Sequence, residues 1–130
     1  MREERTLIEP ALRMVSEADA AGLAAIVHPE FEFSSIFTPM EGVYRGVNGV
    51  RAYLDELRES FETYELTLLG VEPVGDEYLV ELRAHGRGRG SGIELDLTAC
   101  QVWTFRDGLI LRVSVYPTVE EARAALGLDT

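Results

Sequence analysis

The sequence predicts an α+β domain with helices segregated to one face of a curved, mostly antiparallel sheet. Three observations predict it. Apolar residues recur at helical spacing in the segments before Tyr64. From Tyr64 onward the pattern is consecutive strands, with turn signals at Gly75-Asp76 and Asp107-Gly108. No linker, repeat or low-complexity segment divides residues 1–130, so one domain accounts for the chain.

Leu7, Ile8, Ala11, Leu12, Val15 and Ala18 place a first amphipathic helix over Thr6 to Ala20, with Thr6 and Glu9 as a capping box and Pro10 in the first turn. Gly22 ends this helix or separates it from a short second one, Leu23 to Val27, and His28-Pro29 then stops helical structure. Phe31, Phe33, Ser35 and Phe37 alternate with Glu32, Ser34 and Ile36, giving a strand whose apolar face carries one hydroxyl. A turn-rich loop, Thr38 to Gly46, precedes a third helix with Asn48 as N-cap and Val50, Tyr53, Leu54, Leu57 and Phe61 as its stripe.

Tyr64 to Val74 pairs through Gly75-Asp76 with Tyr78 to Arg87, and a glycine-rich hairpin returns the chain as Ile93 to Phe105. Asp107-Gly108 then makes a type I′ turn, which needs positive φ at both central residues, into a last strand ending at Tyr116. Thr118 to Glu121 is a capping box that starts a closing helix ending at Gly127, with Glu120, Glu121 and Arg123 on a solvated face.

Period-2 alternation assigns the faces. Ala99, Gln101, Trp103 and Phe105 share one face, and Cys100, Val102 and Thr104 the other. Val80, Leu82, Ala84 and Gly86 form the inward set of their strand, because a one-residue slip would bury Arg83 and Arg87. Gly86, Gly88 and Gly90 then fall on the concave side and allow strong curvature. The opposite sheet face is left for solvent or association.

Composition narrows the function classes. Twelve Lys+Arg against 23 Asp+Glu give a net charge of −11, which opposes a nucleic-acid or anionic-membrane partner. A single cysteine, Cys100, forms no internal disulfide, and without a leader or long apolar run a cytoplasmic location is expected. Cys100 reads as a small buried hydrophobe at a sheet–sheet contact. No Cys or His pair has metal-ligand spacing, so neither a metal nor another cofactor is expected. The run HGRGRGSG lacks the ending and context of a phosphate loop and reads as a bent hairpin.

The best polar constellation is Gln101 with Trp103 and Ser35, set among Phe33, Phe37, Leu82, Val113 and Val115. An amide and a hydroxyl in such a setting can orient a ligand carbonyl or hydroxyl, although neither titrates near neutrality. The alternative is a filled core, with Gln101 bonding backbone groups and Ser35 capping a turn. His28 and His85 are of the residue type used for proton transfer near neutrality. His28 reads as a cap on a helix end, and His85, beside Glu81 and Arg83, as part of an outer charged ladder. Glu81 and His85 are the fallback acid–base pair, available only if the strand register slips.

Four segments together, ADAAGL at 18–23, VHPEFEF at 27–33, the GV-G---YL helix at 46–54, and WTFRDGLI at 103–110 followed by Tyr116 and a capped helix, resemble the SnoaL-like branch of the nuclear transport factor two-like superfamily. The resemblance spans about Leu7 to Leu128. It implies a cone-shaped α+β barrel with helices packed on the concave face, enclosing a pocket, and a homodimer formed through the open face of the sheet. Against the ketosteroid isomerases of that superfamily, Met14, Ser35 and Gln101 stand where a tyrosine, the base aspartate and the oxyanion-stabilising aspartate would be. Against its epoxide hydrolases, Leu82, Ala84 and Val115 stand where an Asp-Arg-Asp set would be. With Met14 from the first helix and Tyr53 from the third added to the lining, the first reading is a domain that binds a small apolar organic molecule. The alternatives are a cofactor-independent cyclase, isomerase or epoxide hydrolase, and a dimerisation module with a closed pocket.

Overall fold

The computed structural model describes residues 2–35 and 43–127. Helices α1 (Arg2–Arg5), α2 (Ile8–Glu17) and α3 (Ala20–Ala24) lead into strand β1 (Val27–Ser35). Strand β2 (Val43–Arg45) and helix α4 (Gly46–Ser60) follow, and then the strands β3 (Phe61–Val74), β4 (Glu77–Gly88), β5 (Glu94–Arg106) and β6 (Leu109–Tyr116) run consecutively to the closing helix α5 (Val119–Ala125). The six strands form one sheet in the order β2-β1-β6-β5-β4-β3. All pairings are antiparallel except β1 with β6, which the helical crossover from one edge to the other makes parallel.

The alternation of β4 and β5 is realised as the sequence implies. Val80, Leu82 and Ala84 lie in the main core with Ala99 and Trp103. The outward set is paired on the surface: Arg83 donates twice to Asp96, at 2.8 and 2.7 Å, and Arg87 donates to Glu94 at 3.0 Å. Both central residues of the Asp107-Gly108 turn have positive φ, 56° and 77°, which fixes the β5–β6 register as Gln101 opposite Val115 and Trp103 opposite Val113. On β3 the alternation shifts at a bulge between Leu68 and Gly70, leaving Leu69 unpaired and 54% exposed while Leu66, Leu68 and Val71 remain inward.

Several local expectations change. No Thr6 capping box starts α2; its N-cap is Leu7, without a side-chain cap, because the preceding turn of α1 already runs into it. The break before α3 is made by Ala18, in the left-handed region at φ 56°, and not by Gly22. Gly22 sits inside α3, where its N–H donates to the N-cap Asp19 at 3.0 Å and where a Cβ would meet Asp19 Oδ2 at 2.5 Å. Val27, His28 and Pro29 belong to β1, so His28 caps no helix: its Nδ1 accepts from the Glu30 N–H at 2.9 Å. Helix α4 starts at Gly46 with Arg45 as N-cap rather than after Asn48, and Phe61 begins β3 instead of ending the helical stripe. The HGRGRGSG run is a hairpin whose tip closes α4: Arg89 Nε donates to Arg58 O at 2.9 Å and its Nη2 to Phe61 O at 3.0 Å, satisfying carbonyls that a helix end leaves open.

The closing helix is the largest revision. Thr118 caps it, accepting from the Glu121 N–H at 3.1 Å, but its other face is not solvated. Ala122 is fully buried in a second core against Leu79, Cys100 and Val102 on the outer side of the sheet. Cys100 therefore sits at a sheet–helix contact. Burial, then the Glu81 and Glu120 carboxylates, push its thiol up to about 11. In the native protein at pH 8, Cys100 is expected to react with a disulfide reagent such as DTNB at least ~100-fold more slowly than a free cysteine, since two pKa units lower the thiolate fraction by that factor before access is counted. Full reactivity returns only on unfolding in denaturant. Rapid labelling of the folded chain would mean that α5 does not cover the thiol.

Candidate functional site

The concave face of the sheet, roofed by α2, α3 and α4, encloses two adjoining cavities. The smaller, of about 60 Å³, lies toward α2, α3 and Trp103, among residues that include Leu12, Leu23, Phe31, Val50 and Ile110. The larger, of about 360 Å³, lies toward β3, β4 and β5, among residues that include Leu57, Leu82, Leu95, Leu97 and Val115. Phe33, Tyr53, Leu66 and Gln101 line both and so mark the boundary. The larger volume falls within the range of small-molecule sites, while the smaller, apolar one is of the kind that stays dry.

Each wall follows from local sequence. Inward positions of β5 alternate, so Gln101 and Trp103 must lie on the same side, two residues apart. Their polar groups meet: Trp103 Nε1 donates to Gln101 Oε1 at 2.7 Å, with both residues buried. Phe33 on β1, Tyr44 on β2 and Tyr53 on α4 form an aromatic cluster, Phe33 and Tyr53 having ring centroids 4.7 Å apart. Tyr44 donates its hydroxyl to the Glu56 carboxylate, which ties β2 to α4. Tyr53 and Tyr64 both line the larger cavity, and burial raises the pKa of both phenols, Tyr53 the more. Gly86, opposite Tyr64, lets β3 pass close: a Cβ there would lie 2.5 Å from the Thr63 carbonyl oxygen.

The sequence-derived residues divide accordingly. Phe33, Tyr53 and Gln101 border both cavities; Trp103 and Val113 border the smaller, and Leu82 and Val115 the larger. Met14 borders neither; it packs on the core edge, with its sulfur beside Gly22, and Val15, one position along α2, lines the smaller cavity in its place. Ser35 is described by its backbone alone, paired with Val115, and Phe37 lies outside the described residues. Glu81 and His85 stand on the outer, exposed side of β4, where His85 Nε2 lies 3.9 Å from Glu94, so neither borders either cavity. The filled-core alternative for Gln101 also changes, since its carbonyl oxygen is taken by an indole rather than by backbone. Tyr64 and Leu66 were not singled out from sequence. The inward alternation of β3 would have found them.

Among the described residues, no Asp, Glu, His or Cys lines either cavity, and no cluster of three such residues has the arrangement of a metal site. The polar side chains among the lining are the Gln101 amide and tyrosines, groups that bind and orient uncharged partners and do not titrate near neutrality.

A curved sheet with its concave face roofed by helices over an apolar, amide-bearing cavity defines a protein of the nuclear transport factor two-like fold. The sequence matches the SnoaL-like domain over residues 8–113, and the chain belongs to this family. No curated protein matches the sequence. Among solved structures it is similar in fold to TerC co-crystallised with polyporic acid (17% identity, 96% of this chain and 98% of that one, TM-score 0.78). It is also similar to a putative SnoaL-like polyketide cyclase from Jannaschia sp. CCS1 (16%, 99% and 94%, TM-score 0.76) and to an LEH-like epoxide hydrolase of M. tuberculosis (16%, 96% and 90%, TM-score 0.73). No helix among the described residues is long and apolar enough to cross a membrane.

Proposed function

We propose that this SnoaL-like domain binds a small, mainly apolar organic molecule in the larger cavity, without a cofactor, and works in the cytoplasm as a homodimer formed through the part of the outer sheet face that α5 leaves open. One observation carries the binding reading: a space of about 360 Å³, walled by aliphatic and aromatic side chains, has a single buried amide at its boundary. Burying apolar surface of a guest there is favourable by about 25 cal/mol per Å², and the amide supplies orientation. The TerC crystal, which contains polyporic acid, is in keeping with an organic guest in this fold. Binding is favoured over cyclase, isomerase or hydrolase chemistry because proton transfer needs a group that titrates near the working pH, and the described lining offers only phenols whose pKa burial raises. The charge of −11 stands against nucleic acid and anionic membranes as partners.

Native mass spectrometry of the protein as purified tests both parts. A dimer carrying the mass of a small organic molecule is the expected result. A monomer would overturn the assembly. A chain that retains no guest and takes up none from a panel of bicyclic aromatic compounds would overturn the binding reading.

A further inference from the structure

The two cavities on the concave side are kept apart by the four side chains that line both, Phe33, Tyr53, Leu66 and Gln101. Three of these are held by an aromatic neighbour. Phe33 and Tyr53 pack ring against ring, with Tyr44 against both, and Gln101 accepts from the Trp103 indole. Leu66 is the one aliphatic member, and its place is set through its backbone. The Leu66 N–H donates to Ser16 Oγ at 2.9 Å, and Ser16 donates in turn to the Leu12 carbonyl at 3.0 Å. These bonds fasten the edge strand β3 to α2 beside Leu12 and Val15, which line the smaller cavity. Across the β3–β4 pairing Leu66 stands opposite Ala84, a small side chain that lines the larger cavity. Behind this partition lies an apolar space of about 60 Å³ that packing has not filled, although interiors leave few voids larger than a water molecule. A guest able to reach it would bury further methylenes, each tightening binding by about four-fold.

We propose that Leu66 closes the inner end of the larger cavity and so sets the length of the guest. A compact molecule of about one or two rings is accepted, and one whose alkyl chain would have to run on into the smaller cavity is not. For such a chain to pass, Leu66 would have to swing from its place into a core that is already close-packed, which costs what overpacking costs. The inference rests on the binding reading above and adds the size class of the guest and the residue that determines it.

The test uses the full chain and the series of 4-n-alkylphenols from ethyl to octyl, titrated by calorimetry. In the natural protein affinity is expected to climb by about four-fold per methylene and then to stop climbing at a chain length within the series. Leu66→Ala opens the partition and should move that stopping point about two methylenes or more beyond where Leu97→Ala places it. Leu97 lines the larger cavity and not the smaller, so its truncation removes the same carbons without reaching the inner space. Reading each variant against its own series cancels a uniform loss of affinity from lower stability, which a merely structural leucine would produce. Where Leu66→Ala does not fold, Leu66→Val is compared with Leu97→Val for a difference of about one methylene. Equal stopping points for the two positions, or a natural protein whose affinity climbs through the whole series, would overturn the role of Leu66 and leave the cavity as a binding site. If no alkylphenol binds the natural protein, the binding reading fails and takes the inference with it.

Discussion

Trp103→Ala is expected to destabilise the domain by about 4 kcal/mol, the size found when a large aromatic side chain is removed from a core. Trp103 is 4% exposed and packs between the Gln101 amide and the Phe105 ring, whose centroid lies 6.3 Å from its own. Two losses act together: the cavity of about 60 Å³ that it already borders is enlarged, and Gln101 Oε1 is left buried without its donor. Since domains are stable by only about 5–15 kcal/mol, a fall in Tm of roughly 10–20 °C should follow, read by calorimetry or by a lower midpoint in urea. Trp103→Phe, which keeps most of the packing and removes only the N–H, should cost about 1–2 kcal/mol. If Trp103→Ala moved Tm by less than about 3 °C, the indole would not be the packed wall described.

Gly86→Ala is expected to cost about 3 kcal/mol, toward the upper end of what overpacking does. The added Cβ would lie 2.5 Å from the Thr63 carbonyl oxygen and 3.4 Å from both Phe61 and the Tyr64 backbone. The nearest of these is backbone of the neighbouring strand, which cannot rotate away as a flexible side chain can. Strand β3 would have to move off β4 at the bulge between Phe61 and Thr63, displacing Tyr64 from the larger cavity that it lines. The variant should therefore lose stability and bind a cavity probe more weakly. Gly75→Ala is the control: with φ of 59° and nothing near its Cβ position, it carries only the left-handed backbone cost of about 1 kcal/mol and should leave binding unchanged. Equal effects of the two substitutions would contradict a steric role for Gly86.

Legibility varied along the chain for physical reasons. Where one face of a strand is buried, a slip by one residue costs the burial of charge, so the inward sets of β4 and β5 could be read from Arg83, Arg87 and the alternation around Trp103. The Asp107-Gly108 turn was readable because few residue pairs accept positive φ twice. Helix starts were less so. Thr6 and Asn48 have the composition of caps, yet α2 and α4 begin at Ile8 and Gly46, because packing against the sheet and the neighbouring turn outweighs a cap worth about 1 kcal/mol. The Ala18 break defeated a reading that looked for glycine, since a left-handed alanine carries no mark in sequence.

The sequence by itself determined which residues face inward on β4 and β5, where the hairpins turn, and that a lone amide would sit beside the one tryptophan in an apolar setting. These depend on period, turn chemistry and charge, all of which are local. The tertiary structure alone decided that α5 covers Cys100 on the outer face, that Val15 rather than Met14 reaches the smaller cavity, and that Tyr64 joins Tyr53 and Gln101 in lining the larger one. It also decided which way the amide points. Periodicity gives the side of an element on which a residue lies, whereas the neighbour it meets there depends on how strands and helices distant in sequence are brought together.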